Sequence, residues 1–415
     1  MAIIESGSAG NAKESDLQVS GLASPRPQTL NPKPNRPRFL VIKLADLGDA
    51  LTATPAIRAL RTTFPSATID ALVTPVGAAV LAGLDSVDHL IPFEKALFDR
   101  LQPAVRPLAQ AFALGVRLRK ARYDRVFLFH HLFTPAGRLK YAALLGAIGS
   151  PWRAGLAEDC PAFLTHVLCD DGYGVRHEAD YWLGVVGLAG AVNPSPRFEV
   201  EIDDQARTRA ARLLGGPVSD DGRPLVAICP GAGAYSPARR WPPDRYARVG
   251  QRLVEDVDAE ILVVGSSAER DLAADVCDGI GHACRNLAGL TDVKTLAAIF
   301  NRCNLFIGND GGAMNLAVAS GVAVVAVFGP SNHVSWGPYG GTLWQPGFSA
   351  RSAVVRADVP CAPCLYRGYV PGTRFGCRAR DCLRLVDVET VVEAAQHFLN
   401  LNPGRRGTHF NVRRR

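Results

Sequence analysis

The chain has 415 residues, a length that indicates two domains with extensions rather than one core. Apolar residues make up 47% of it and charged residues 20%, which is typical of a folded globular protein and excludes a disordered one. Charged residues interrupt every apolar run before it reaches the ~18 residues of a membrane-spanning helix. The first residues also lack the basic start and apolar stretch of a secretory signal, so we expect a cytoplasmic protein.

The formal charge of +7 is modest, and much of the excess lies in a basic C-terminal tail. It fits an anionic substrate or membrane surface, and any membrane contact is expected to be peripheral and electrostatic. A nucleic-acid partner is not expected. Most of the ten cysteines stand singly in predicted strands and helices, and we interpret Cys229, Cys277 and Cys303 as reduced core residues.

The chain begins with a leader, residues 1–37, that is rich in Ser, Pro and Asn and has no helical or strand periodicity. From Phe39 onward, FLVIK predicts a buried strand, LADLGD a loop and ALTATPAIRALRTTF a helix. Further strands are predicted in TIDALV, DHLIPF and DRVFLFHH, alternating with helices. This alternation predicts a first parallel-sheet domain at residues 38–200.

A polar helix and the turn-rich GGPVSDDGRP mark residues 201–223 as a linker. The alternation restarts with the strand PLVAIC and predicts a second α/β domain at 224–385, followed by a helix at 386–402 and the basic tail at 403–415. Two such Rossmann-like domains can place the carboxyl ends of their strands, where ligands bind, face to face across a cleft.

Two aspartates, Asp46 and Asp49, follow the first buried strand. Gly48 lies between them and lets backbone approach a ligand closely. A carboxylate in this loop can serve as a general base that deprotonates an acceptor hydroxyl as its oxygen attacks an anomeric carbon. The alternative is that Asp49 only caps the following helix.

Two later loops suit phosphate. The Gly-rich PGAGAYSPARRW ends in Arg239 and Arg240, whose guanidinium groups suit a diphosphate, although a plain turn with solvated arginines is the alternative. In GNDGGAMNLA, Asp310 can hold sugar hydroxyls while the amides of Gly311 and Gly312 face phosphates, and an N-capped tight turn is the alternative. Neither loop reads G-x-G-x-x-G and the chain contains no G-x-x-x-x-G-K-[ST], which disfavours dinucleotide oxidoreductases and P-loop NTPases.

Two further clusters are candidates. Four cysteines have a spacing that allows a thiolate site for zinc or iron, although reduced, packed cysteines fit the same spacing. Side chains at the end of a first-domain strand and on the following helix can contact an anionic acceptor, with a structural role as the alternative. The cysteines are Cys361, Cys364, Cys377 and Cys382, and the acceptor candidates are His130, His131, Arg138 and Lys140. Asp46, in the loop after the first strand, is a further acceptor candidate.

Four ordered segments resemble one known family. VIKLADLGDALTATPAIRAL is similar to its opening strand and G-D loop, and PGAGAYSPARRWPPDRYARV to its K-R-W phosphate loop. The stretch from NLAGLT to VAVVAVFGP is similar to a Leu-Ala-Gly segment leading to N-D-[ST]-G-P-M-H, and the late CAPC and CL also recur. From about Phe39 to the last helix, the chain resembles glycosyltransferase family 9, the ADP-heptose:lipopolysaccharide heptosyltransferases.

This resemblance implies a GT-B fold, an acceptor-binding first domain, a donor-binding second domain and inversion at the anomeric carbon without a catalytic metal. It implies that Asp49 is the catalytic base, that Arg239 replaces a phosphate-binding lysine and that Asp310 holds the donor sugar. Glu269 lies where a carboxylate can reach the ribose. Where the family has histidine, this chain has Asn315, which can donate a hydrogen bond to phosphate but carries no charge.

The predicted function is transfer of a heptose or related sugar from an ADP-activated donor to a saccharide such as the lipopolysaccharide inner core. Two alternatives stay open. One is another GT-B enzyme, a UDP- or GDP-sugar transferase or an epimerase. The other is a nucleotide-binding relative that has lost catalysis. The change to Asn315 favours this alternative, whereas the retention of Asp49 and Asp310 argues against it.

Overall fold

A computed structural model describes residues 36–94, 105–193, 196–215, 222–233, 236–340, 351–365 and 375–401. Almost all of the predicted leader and the basic tail lie outside these ranges. No helix in the described ranges is both long and apolar enough to cross a membrane.

The first domain is a six-stranded parallel sheet in the order β3-β2-β1-β4-β5-β6, the doubly wound order of a Rossmann domain. The predicted alternation of strands and helices is confirmed. Its strands are β1 (Arg38–Lys43), β2 (Thr68–Val73), β3 (His89–Pro92), β4 (Arg125–Leu128), β5 (Trp152–Ala157) and β6 (His166–Cys169); its helices are α1 (Leu47–Thr63), α2 (Pro75–Leu81), α3 (Val105–Ala121), α4 (Pro135–Ile148) and α5 (Glu178–Gly187).

A helix, α6 (Asp204–Leu213), lies within the segment predicted as a linker, and the side chain of Asp203 caps it by accepting a hydrogen bond from the Ala206 N–H group. Ala206 and Ala210 are buried on the face that α6 turns towards the second domain, and Arg209 forms an ion pair with Asp292 there. The connection between the domains is therefore packed rather than extended.

The second domain repeats the first in the strand order β12-β11-β10-β7-β8-β9, again fully parallel. The second predicted α/β domain is thus confirmed. Its strands are β7 (Leu225–Cys229), β8 (Glu260–Val263), β9 (Cys284–Asn286), β10 (Leu305–Asn309), β11 (Ala323–Phe328) and β12 (Ser352–Arg356); its helices are α7 (Pro243–Val257), α8 (Arg270–Ile280), α9 (Val293–Arg302), α10 (Gly312–Ala319), α11 (His333–Trp336), α12 (Asp381–Arg384) and α13 (Val388–Leu401), with short 3-10 turns at Pro237–Arg239 and Ser267–Glu269.

Helices cover both faces of each sheet, so the central strands are apolar along their whole length. In β1, Phe39 and Val41 face a core shared with α1, whereas Leu40 and Ile42 face a second core under α3 and α4. The first of these cores continues into the second domain through α1 and α10. This shared apolar packing holds the two domains against each other at one end of the cleft.

Helix α1 begins earlier than predicted. The sequence indicates a loop through Asp49, but the helix starts at Leu47 because the Asp46 carbonyl already accepts a hydrogen bond from the Ala50 N–H group at 3.0 Å. Asp49 therefore lies in the first helical turn, where the helix dipole favours a negative charge.

The cysteine prediction is wrong at one position. Cys277, near the end of α8, forms a disulfide with Cys284 at the start of β9, because the short connection leaves their Cα atoms 5.4 Å apart, within bridging range. Cys229 and Cys303 are buried, as predicted. Burial also raises the pKa of the Cys229 thiol to about 12.

Candidate active site

A cavity of about 950 Å³ lies between the two domains at the carboxyl ends of β1, β4, β10 and β11. This is the edge at which parallel α/β sheets bind ligands. Both domains line it, and so do most of the residues that the sequence indicates. These are Asp46, Asp49, His130, His131, Lys140, Arg239, Asp310, Gly311, Gly312 and Asn315.

Asp49 lies on the first-domain wall beside a buried lysine. The Nζ atom of Lys43 is 3.1 Å from Asp49 Oδ1, and the lysine side chain is only 4% exposed. Its ammonium also lies 4.3 Å from the centre of the Trp182 ring, in a cation–π contact. The Asp49 carboxylate is 30% exposed. The carboxylate is thus paired with the lysine on one side and open to the cavity on the other.

The capping alternative for Asp49 does not hold, since Asp46 occupies the N-cap position of α1 and Asp49 is the third residue of the helix. Asp46 is exposed at the mouth of the cavity. A carboxylate in the first turn still interacts favourably with the helix dipole, but Asp49 also faces the cavity.

The starts of α1 and α10 approach each other closely. A Cβ atom at Gly48 would lie 2.8 Å from Nδ2 of Asn315 and 3.4 Å from the Cα atom of Gly312, and a Cβ atom at Gly312 would lie 2.9 Å from the side chain of Leu47. Both glycines therefore serve contact between the domains. This contact brings Asn315 next to the helical turn that carries Asp49.

Arg239 and Asp310 form an ion pair on the opposite wall. Arg239 Nη1 lies 3.3 Å from Asp310 Oδ2, and its Nη2 donates a hydrogen bond to the Ala232 carbonyl at 2.7 Å. The side chains are 14% and 6% exposed. The guanidinium is thus fixed between a carboxylate and a carbonyl, with its position in the cavity wall set before a ligand binds.

Glu269 lies under the Gly-rich loop rather than in the cavity wall. Its carboxylate accepts hydrogen bonds from the N–H groups of Ala232, Gly233 and Ser266 and from the Ser266 hydroxyl, and it pairs with Arg240. Burial alone would raise the pKa of Glu269, but these hydrogen bonds and the charge of Arg240 outweigh it and hold the pKa below its usual value. Glu269 fixes the loop, and its contact with a ribose stays a prediction.

Helix α10 directs its N-terminus at the cavity. Gly311 is its N-cap residue in extended conformation, and Gly311, Gly312 and Asn315 all line the cavity. Asn315 is buried, and its Oδ1 atom has no hydrogen-bond partner among the described residues. The N–H groups at such a helix start favour a negatively charged ligand.

The histidine pair on the first-domain wall has two different environments. His130 Nε2 accepts a hydrogen bond from the Leu44 N–H group at 2.9 Å. His131 lies between two carboxylates, with Nδ1 2.6 Å from Asp170 and Nε2 3.1 Å from Glu178. Both histidines are therefore held in fixed orientations in the cavity wall.

Of the two basic acceptor candidates, only Lys140 lines the cavity. Arg138 forms an ion pair with Asp159 and does not belong to the cavity lining. Contact of either residue with the acceptor stays a prediction. Lys140 is the better candidate because it lies in the cavity wall.

The first-domain half of the cavity is largely apolar. Helices α3 and α4 contribute Phe112, Tyr141 and Leu144, and Phe133 precedes α4. Phe112 is 75% exposed and Phe133 44% exposed. The apolar lining of the cavity thus includes two side chains that are exposed at the protein surface.

The four cysteines of the predicted cluster lie near one another. Burial, together with the charges of Cys364, Cys377 and Cys361, raises the pKa of Cys382 to about 11. Within the described ranges, however, no three His, Cys, Asp or Glu side chains are grouped as metal ligands. Cys382 also packs into the apolar core of the second domain. A zinc or iron ion at these four cysteines stays a prediction.

The cavity residues that the sequence does not single out include Lys43, Tyr173 and Ser331. Lys43 is the only charged residue in the strand FLVIK and immediately precedes the loop with Asp46 and Asp49. Its position in the sequence could therefore have indicated a cavity residue. Ser331 follows β11 at the sheet edge where ligands bind, so its position could have been found by the same rule. Nothing in the local sequence distinguishes Tyr173.

Two parallel sheets with the strand order of a Rossmann domain face each other across this cavity. The Asp49 carboxylate lies on one wall, and the Arg239 guanidinium and the N-terminus of α10 lie on the other. That arrangement is the GT-B architecture, in which ligands bind between two Rossmann-like domains. A family model described as glycosyltransferase family 9 (heptosyltransferase) matches residues 111–368, and the chain belongs to this family.

Individual relatives agree with this assignment. Lipopolysaccharide heptosyltransferase 2 of Salmonella typhimurium is 26% identical over 307 residues, which cover 71% of this chain and 83% of the relative. A family 9 glycosyl transferase structure from Veillonella parvula has a TM-score of 0.69 at 22% identity and covers 88% of this chain and 98% of its own. The E. coli ADP-heptose heptosyltransferase II structure has a TM-score of 0.65 at 21% identity, covering 88% and 99%. The expected GT-B fold is confirmed.

Proposed function

We propose that this enzyme transfers a heptose, or a related sugar, from an ADP-activated donor to a saccharide acceptor such as the lipopolysaccharide inner core, with inversion. The observation that carries the proposal is a single cavity shared by Asp49 of the first domain and the Arg239–Asp310 pair of the second. Direct transfer needs a base for the acceptor and a binding site for the leaving phosphate on opposite sides of the sugar. Membership of family 9 supports the choice of heptose.

In the proposed reaction, Asp49 takes the proton of an acceptor hydroxyl while that oxygen attacks the anomeric carbon of the donor. The new carbon–oxygen bond forms as the bond between that carbon and the phosphate oxygen breaks, so the configuration inverts and ADP leaves with the electron pair. Lys43 holds the Asp49 carboxylate from behind by its ion pair at 3.1 Å. It acts as a positioning residue.

The negative charge on departing ADP is met by groups already in place. Arg239 is fixed by Asp310 and the Ala232 carbonyl, Arg240 is held by Glu269, and the first N–H groups of α10 point into the cavity. Preorganised donors of this kind stabilise developing charge without reorganising during the reaction. The proposed reaction therefore requires no metal ion or other cofactor, and no step passes through the cysteine cluster.

We further propose that the acceptor is a glycolipid, reached from the cytoplasmic face of the inner membrane. The apolar lining of the cavity includes the exposed side chains of Phe112 and Phe133, and Lys140 lines the same cavity. Apolar side chains with a nearby ammonium suit an anionic lipid surface. Contact with that surface would be peripheral.

Calorimetric titration with ADP, UDP and GDP tests the donor assignment. We expect selective binding of ADP and a loss of roughly tenfold or more in Arg239→Ala, because a charge-assisted hydrogen bond to phosphate contributes about 1.5–3 kcal/mol. Arg248→Ala is the control, since Arg248 pairs with Asp244 on an exposed helical face. Preference for UDP or GDP would keep the fold and overturn the donor, and no nucleotide binding at all would favour a relative that has lost catalysis.

A further inference from the structure

The Ser331 side chain places a buried hydroxyl in the cavity wall, and no group in the described part of the chain hydrogen-bonds it. The residue is 6% exposed and lines the cavity, and its Oγ atom has no hydrogen-bond partner among the described residues. A buried hydroxyl without a partner is unfavourable, so such groups in folded proteins call for an explanation. A ligand in the cavity would supply the missing partner.

The segment around Ser331 is fixed from both domains. The Pro330 carbonyl accepts hydrogen bonds from the N–H groups of Cys364 and Leu365, both at 2.9 Å. From the first domain, the Tyr173 hydroxyl accepts a hydrogen bond from the Asn332 N–H group at 3.2 Å and donates one to the Leu365 carbonyl at 3.0 Å. The Ser331 hydroxyl is therefore presented by a preorganised loop, which is a condition for selective recognition.

Ser331 lies beside the groups proposed to hold the donor. It follows β11, which is the immediate neighbour of β10 in the sheet, and Asp310 follows β10 at the same edge. Oδ1 of Asn315 belongs to the same wall and likewise has no hydrogen-bond partner within the described ranges. Asp310, Asn315 and Ser331 together form a polar wall on the second domain, and Asp49 lies on the facing wall of the cavity.

The chemistry of this wall suits a sugar better than a phosphate. A carboxylate and an amide oxygen accept hydrogen bonds, and a diphosphate at neutral pH has no hydrogens to donate to them. Sugar hydroxyls both donate and accept, as the Ser331 hydroxyl does. The transferred sugar must also lie between the phosphate groups bound at Arg239 and the base Asp49.

We propose that Ser331 is a specificity-determining residue that hydrogen-bonds a hydroxyl of the transferred sugar. The inference rests on the proposed function and adds a named contact for the sugar as distinct from its nucleotide. A site built to hydrogen-bond a hydroxyl rejects analogues that lack it, because its own buried polar group is then left without a partner. Ser331 thereby favours a polyhydroxylated sugar over a deoxy analogue.

The test compares binding of ADP and ADP-heptose by calorimetry in the wild type, Ser331→Ala and Ser86→Ala. Ser86 is the matched control, since its hydroxyl is also buried and without a partner among the described residues but does not line the cavity. We expect Ser331→Ala to weaken ADP-heptose binding roughly five- to tenfold while ADP binding changes less than about twofold. Ser86→Ala should change neither. Thermal melting of each variant checks that the fold is intact.

Unchanged binding of ADP-heptose in Ser331→Ala, or an equal loss for ADP and ADP-heptose, would overturn the assignment of Ser331. If the wild type itself did not bind ADP-heptose, there would be no sugar contact to assign, and the proposed donor would fail with it. The first two results concern the variant and the third concerns the wild type, so the two failures are distinguishable. A series of monodeoxy donors then identifies the hydroxyl: one of them should lose no further affinity in Ser331→Ala.

Discussion

The Nζ atom of Lys43 lies 3.1 Å from Oδ1 of Asp49 and 4.3 Å from the centre of the Trp182 ring. The ammonium is thus buried between a carboxylate and an aromatic face, at the end of β1. A cation in this position costs desolvation energy that its partners must offset. Its presence directly behind the proposed base indicates that it orients that base.

Replacing Lys43 with methionine tests this role. Methionine keeps the apolar packing on Trp182 but removes the charge, so the Asp49 carboxylate loses its fixed partner. We expect kcat to fall by roughly ten- to a hundredfold while the affinity for ADP stays within about twofold, because positioning of a reacting group affects the transition state more than nucleotide binding. Lys120→Met, on the exposed end of α3, is the control. Equal losses in kcat and in ADP affinity would instead indicate a general loss of structure.

Ionisation of the Glu269 carboxyl should make the free energy of unfolding depend on pH. Its pKa is held below its ordinary value of 4.5 in the folded protein. A carboxyl with a lowered folded-state pKa contributes stability that is fully present above the unfolded-state pKa and is lost as the pH falls through the folded-state pKa. Glu269→Gln should therefore lower the melting temperature most at neutral pH, and the gap to the wild type should close in acid. Denaturation of both proteins between pH 3 and 8 measures this, and a gap that widens in acid would refute the assignment.

The exposed phenylalanines of the first domain should contribute to lipid binding. Phe112 is 75% exposed on α3 beside the mouth of the cavity. Burying such a side chain in a bilayer interface is favourable by about 1.5–3 kcal/mol at most, so Phe112→Ser should weaken co-sedimentation with phosphatidylglycerol vesicles by roughly tenfold. Phe375→Ser, a comparably exposed phenylalanine of the second domain, should have no effect. Equal retention of the wild type and both variants in the supernatant would count against a membrane contact.

The fold could be predicted from the sequence because buried parallel strands are apolar throughout and helices separate them. Segments such as FLVIK, TIDALV and NLFIG coincide with β1, β2 and β10. The sequence places the start of α1 at Ala50, whereas the helix begins at Leu47. The Asp46 carbonyl already accepts the first helical hydrogen bond, ahead of the apolar periodicity. Local sequence does not carry that information.

Cavity residues with a local signature can be predicted from the sequence, whereas contacts between residues far apart in the chain cannot. The Asp-Gly-Gly turn at the start of α10 is evident in the sequence. The pairing of Lys43 with Trp182 joins residues from β1 and α5, which only the folded chain brings together. The Cys277–Cys284 bridge was missed because cysteines in a predicted helix and strand read as core residues, and only their geometry shows the pairing.

The central claim is sugar transfer from ADP-heptose with Asp49 as the base, and mass spectrometry of the acceptor tests it most directly. The wild type and Asp49→Asn are incubated with ADP-heptose and a heptose-deficient lipopolysaccharide, with ADP-heptose binding measured alongside. The account predicts one added heptose with the wild type, and with Asp49→Asn a rate at least about a hundredfold lower despite donor binding within about twofold of the wild type. Transfer by Asp49→Asn at the wild-type rate, or no transfer by a wild type that binds the donor, would contradict it.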